Sequence, residues 1–239
     1  MTATKTKPHK TNRLLAYHGD PVIKAKFLAR VKDHQKADQL VQGYGYWKDG
    51  KGCAVGCTLH SERHGDYEKI LGIPEALAHL EDAIFEGATT EYARKWPARF
   101  LQAAKPGADL SLVRFKLLAW LLTDSGLLKI TEVNRQAITD VAALHRRAAS
   151  GENVTFDEWS AARSAARSAA RSAESAACSA ARSAESAARS AESAAWSARS
   201  AAWSAAFEKI GDKLLKLMSA APVVAEAKRQ SSEGTIDAN

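Results

Sequence analysis

Thirteen serines recur between Ser160 and Ser204 at intervals of three or four residues, and each is followed by alanine. Eight of the twelve intervals are fours and four are threes, a mean of 3.67 residues. An α-helix turns once in 3.6 residues, so this stripe drifts by only about 7° per turn. The spacing predicts a long helix with one smooth face of small side chains. Thr155-Phe156-Asp157-Glu158 supplies its start as a capping box, with Val154 and Trp159 in the positions of a hydrophobic staple. Neither proline nor glycine interrupts the chain from there to Ile210, and about 55 residues at 1.5 Å each would span roughly 80 Å as one unbroken helix. A fold-back near Cys178, bringing Trp159 beside Trp203, is the alternative, although no turn residue marks it.

The residue before each serine is the variable one. Aromatics stand at the ends of that stripe (Trp159, Trp196, Trp203, and Phe207 beyond the last serine), and nine Arg and Glu side chains occupy its middle. Such a pattern reads as a rod with a charged stripe in water and ends packed on something apolar. Ala and Ser bury little apolar area, so the small face needs a partner. That partner is a helix of the first half, the fold-back near Cys178 or a second copy of the chain, and the last gives the expected homo-oligomer through the Ser/Ala helix. The eleven-residue period resembles that of alanine-rich antifreeze helices, but regularly spaced Thr is missing and the charges do not fit.

The remainder divides into a basic, disordered tail over 1–13, a helical domain over 14–150 that holds the ordinary core formers, the long helix over 151–220 and a flexible tail over 221–239. No stretch of 18 apolar residues is free of charge and the start has no apolar leader, which predicts a soluble, cytoplasmic protein. Three cysteines in 239 residues make no disulfide framework. The net charge of +7 leaves nucleic-acid binding open.

Within 14–150, Asp20-Pro21 opens a helix expected to run to Gly43, and Gly43 to Gly52 reads as an aromatic-bearing loop. Short helices are expected over Tyr67–Leu71, closed by Gly72, and from Pro74 to Gly87. A break is expected at Trp96-Pro97, with a new helix from Pro97 to Pro106. Further helices run over Leu110–Leu122, capped by Asp109, and from Thr131 to about Ala149. No period-two alternation is sustained, so the fold class is all-α.

Reactive side chains concentrate in Gly52-Cys53-Ala54-Val55-Gly56-Cys57-Thr58-Leu59-His60-Ser61-Glu62-Arg63-His64. Three chemistries are open to it. Zinc could be held by Cys53, Cys57, His60 and His64, although on a straight helix they spread over about 16 Å. Cys53 or Cys57 could be a nucleophile, activated by backbone amides, with His60, His64 or His79 as base. A third possibility makes Tyr44, Tyr46, Trp47, Lys48, Lys51, Cys53, Cys57 and His60 a ligand pocket, with aromatics to stack a base and Lys and free amides for phosphate. There is neither a Walker motif nor a strand-borne GxGxxG. The adjacent carboxylates Glu81 and Asp82 read as a solvated helix face.

The Gly50–His60 segment, together with Leu71-Gly72-Ile73-Pro74, Leu80–Gly87, Trp96–Leu101 and Phe207–Leu215, resembles a family of uncharacterised bacteriophage and prophage proteins. The repeat is also similar in composition to alanine-rich putative immunity proteins. The phage resemblance implies an accessory role in the cytoplasm of an infected bacterial host. The expected function is therefore non-enzymatic: binding of a host protein or a nucleotide-type signal, with action against host defence as one form of it, and with no cofactor. A cysteine- or zinc-dependent enzyme and a nucleic-acid-binding protein are the alternatives.

Overall fold

Asp20 begins the first long helix as its sequence promises, with its Oδ1 accepting from the Val22 amide at 2.7 Å and Pro21 in the first helical position. A computed structural model describes residues 14–128, 132–168 and 192–224. A 3₁₀ turn over Ala16–Gly19 leads into α1 (Pro21–Lys36). A small hairpin follows, β1 (Trp47–Lys48) and β2 (Lys51–Gly52), and then α2 (Ala54–Leu59), α3 (Asp66–Leu71), α4 (Glu75–Gly87), α5 (Thr90–Ala103), α6 (Val113–Thr123) and α7 (Glu132–Ala149). The repeat region contributes α8 over 156–168 and α9 (Glu192–Ser219). The class is all-α, as expected. The 1–13 tail, residues 225–239, Thr131 and the repeat over 169–191 with Cys178 lie outside the described residues.

Three local expectations are corrected. Helix α1 stops at Lys36 rather than Gly43, because Asp38 turns into the left-handed region (φ 58°) and Leu40 bridges to Gly52. Pro97 starts no helix: α5 runs through it, since Trp96, Phe100 and Leu101 on either side are fully buried and their packing outweighs one lost backbone hydrogen bond. The Gly43–Gly52 loop contains the hairpin, whose Asp49 (φ 50°) and Gly50 (φ 77°) form the left-handed two-residue turn that matches strand twist.

The core joins distant parts of the chain. Helix α1 packs on α2 and α5, α4 on α5, and α9 on α4, α5 and α6. Leu214 and Met218 of α9 are fully buried among the same side chains as Tyr67, Ile84 and Trp96, so the core is shared between the first half and the far end of the repeat region. Gly87 on α4 admits the Phe207 ring, which would lie 2.3 Å from a Cβ there.

The capping box at Thr155 forms: the Glu158 amide donates to Thr155 Oγ1 at 3.3 Å and Glu158 accepts from the Thr155 amide at 2.8 Å. Trp159 then packs on α6 and α7, its ring centroid 6.4 Å from Phe115 and 4.7 Å from His145. Lys213, on α9, lies over Trp120 of the same α6 at 5.3 Å. Phe115 and Trp120 are about 7.5 Å apart along their helix axis, whereas a straight helix would put Trp159 and Lys213 roughly 80 Å apart. The straight rod is thereby corrected at its described ends; the fold-back considered near Cys178 falls outside the described residues. Trp159 and Phe207 are seated on apolar neighbours as expected, while Trp203 stays 63% exposed.

Candidate functional site

The residues singled out from the sequence meet around a strap, 39–52, that crosses α2. Three sets of contacts hold it. Gly52 donates to Gln39 O and Val41 donates to Gly52 O, each at 3.0 Å, and Cys53 donates to Gly45 O at 2.9 Å. Gln42 Nε2 donates to Phe85 O and Ala88 O at the end of α4, and the Gly43 amide donates to Glu86 Oε2 at 2.7 Å. Finally, the adjacent aromatics Tyr46 and Trp47 each engage one histidine of the segment after α2.

Trp47 stacks on His60, with ring centroids 4.0 Å apart and planes inclined by 13°. His34 of α1 meets the same group: its Nε2 lies 2.8 Å from His60 Nε2, its Nδ1 bonds Gln39 Oε1, and its ring stands edge-on to Trp47 at 5.0 Å. His60 closes α2 in the left-handed conformation (φ 55°), and Arg30 donates to Thr58 O at 3.1 Å beside it. Partial burial, then Arg30 and His34, hold the His60 imidazole below its ordinary pKa, which favours the neutral ring.

Tyr46 contacts His64 edge-on at 5.3 Å, and His64 stacks on His79 at 4.0 Å. His64 is buried, with Nε2 3.4 Å from Asp82 Oδ2. Behind it lies Glu81, fully buried, whose carboxylate accepts from Tyr67 Oη and whose backbone carbonyl accepts from Trp96 Nε1 at 2.9 Å. Burial above all, with Asp82 adding to it, drives the Glu81 carboxyl well above the usual range, while the Tyr67 hydrogen bond acts against this. The pair Glu81 and Asp82 is thus no solvated face: Glu81 follows Leu77 by four and precedes Phe85 by four, on the buried side of α4.

Cys53 and Cys57 are buried free thiols. Burial, then a hydrogen bond to Asp82, pushes the Cys53 thiol far up, and burial takes Cys57 up to about 12. Neither has the exposed, electropositive setting of a nucleophile. The suggested zinc set does not converge, since the thiols point into the core, His60 is held by Trp47 and His34, and His64 by His79 and Asp82. Among the described residues no group of three or more His, Cys, Asp or Glu could hold a metal ion. The ligand pocket drawn from the sequence is likewise divided: Cys53 and Cys57 lie beneath the strap and the Trp47 face is covered, while Tyr44 and Tyr46 are about two-fifths exposed and Lys48 and Lys51 are exposed.

Sequence reasoning missed Arg30 and His34 of α1 and Gln39 at the start of the strap, none of which carries a motif. The i, i+4 spacing from Arg30 to His34 placed those two on one helix face, but nothing local named its partner. A cavity of about 540 Å³ opens beside His64, lined also by Arg63, Asp66, Glu68, Lys69 and Glu75. No helix among the described residues is long and apolar enough to cross a membrane. No family model, no curated protein and no solved structure matches the chain.

Proposed function

We propose that this protein acts by binding, without covalent catalysis, and that the strap presents the ligand surface. The observation that carries this is the division of the strap region: the thiols are consumed in the core, whereas Tyr44, Tyr46, Lys48 and Lys51 reach solvent from a backbone pinned on both sides. Tyrosine rings offer stacking faces for a base, and two ammonium groups across a tight hairpin suit phosphate oxygens. A pinned strap also loses little conformational freedom on binding. The ligand class is a nucleotide-type signal. The resemblance to phage and prophage proteins gives the setting, sequestration of such a signal within an infected bacterial cell. The exposed Ser160 and Ser164 of α8 support self-association through the small-residue face.

Calorimetry against mono-, di- and cyclic nucleotides, with native mass spectrometry of the purified protein, tests both parts. Binding of one nucleotide class, weakened about tenfold or more by the double substitution Lys48→Ala/Lys51→Ala, is expected for loss of charge-assisted contacts. The absence of heat with every nucleotide, with no small molecule co-purifying, overturns the ligand reading. A steep salt dependence with polynucleotides alone would instead select nucleic acid. A monomeric mass at all concentrations would overturn self-association.

A further inference from the structure

We infer that His34 and His60 form a two-histidine site for a divalent transition-metal cation, with water completing the coordination. The two imidazole Nε2 atoms lie 2.8 Å apart, at hydrogen-bond distance, each turned toward the narrow space between the rings. With Gln39 Oε1 accepting at Nδ1, His34 carries its hydrogen there and turns an Nε2 lone pair toward that space. An outer partner that fixes the tautomer and ring of a histidine in this way is the usual support of a metal ligand. The His60 ring is fixed by different means, the Trp47 face at 4.0 Å and a left-handed backbone at the end of α2.

Either a hydrogen or a cation must separate the two nitrogens, because paired lone pairs at this distance repel. Metal–nitrogen bonds of about 2.0–2.1 Å at a tetrahedral angle need the nitrogens roughly 3.4 Å apart, so the rings must part by about 0.6 Å. His34 and His60 sit on separate elements, α1 and the end of α2, and His60 is exposed, so that adjustment is open to them. The guanidinium of Arg30, whose charge acts on His60, donates to Thr58 O. No third His, Cys, Asp or Glu among the described residues joins the pair, so the site is open and exchangeable, of the class imidazole favours: Zn²⁺, Ni²⁺ or Cu²⁺.

The test is calorimetric titration of chelator-stripped full-length protein with Ni²⁺ and with Zn²⁺. One cation should bind, with affinity falling at least tenfold in His34→Gln and in His60→Asn, asparagine being chosen because it tolerates the left-handed backbone. His79→Gln should bind as the unsubstituted protein does. Paramagnetic broadening by Ni²⁺ of imidazole proton resonances in the unsubstituted protein reads the same site without any variant, and His34 and His60 should broaden first. Failure of the unsubstituted protein to bind, unchanged affinity in His34→Gln or in His60→Asn, or first broadening at other histidines would overturn the assignment.

Discussion

The carbonyl oxygen of Tyr46 rests on Gly56 of α2, so closely that a Cβ on Gly56 would stand 1.2 Å from it. The strap can therefore cross α2 only where the helix has no side chain. Gly56→Ala should lift the strap, strip Trp47 from His60 and cost about 3 kcal/mol, the upper end for forcing added volume into a packed site. Urea denaturation measures the loss, and near-ultraviolet circular dichroism reports the tryptophan. A change below about 0.5 kcal/mol would mean that the strap is loosely held.

Leu214 and Trp203 lie on one helix, α9, with opposite surroundings: Leu214 is fully buried and Trp203 is 63% exposed. Leu214→Ala should destabilise the protein by about 3 kcal/mol through a cavity between α9 and the helices it covers. Trp203→Ala should change stability by less than about 0.5 kcal/mol in dilute protein. The two denaturation midpoints, measured side by side, decide whether the distal end of the repeat region is a structural member of the core. Equal effects would refute its docking on α4, α5 and α6.

Glu81 makes stability depend on pH in an identifiable direction. Its buried carboxyl keeps a proton well above the ordinary value of 4.5, so between 4.5 and its raised pKa the folded state binds more protons than the unfolded one. Stability from this group is therefore fully present below 4.5 and is lost as pH rises toward the folded pKa, at up to about 1.4 kcal/mol per pH unit. Glu81→Gln cannot ionise, yet its carbonyl can still accept from Tyr67. The variant should gain on the unsubstituted protein as pH is raised from 5 to 8, followed by urea denaturation at each pH. A constant difference across that range would show that Glu81 is ionised in the folded protein.

Much of the framework was legible where local chemistry decides conformation. Asp20-Pro21, the Thr155 capping box and Gly72 after α3 each act within one turn of helix, and each stands where the sequence placed it. Pro97 misled because its local penalty is overruled by Trp96 and Phe100, whose burial depends on α4 and α9. The Asp49-Gly50 turn was visible as a dipeptide, but its strands are only two residues long, too short for alternation to register. The His60 and His64 positions were legible as chemistry. Their partners, His34 and Asp82, were not, because each comes from a helix whose packing no spacing within the segment could specify.

Cys53 and Cys57 provide the sharpest test against thiol catalysis. Both are buried, and burial holds both thiols protonated, Cys57 up to about 12. Only thiolate attacks iodoacetamide, so at pH 8 their alkylation should be slower than that of an ordinary cysteine by roughly a thousandfold. In denaturant the protection disappears, and both should label at the rate of a free thiol. Mass-spectrometric peptide mapping after timed quenching separates the two sites, and Cys178 is followed in its own peptide. Fast labelling of Cys53 or Cys57 in the folded protein would require an opening that exposes the thiol and would restore a nucleophilic role. Protection in the folded state, lost with the same denaturant midpoint as global unfolding, ties both thiols to the core beneath the strap.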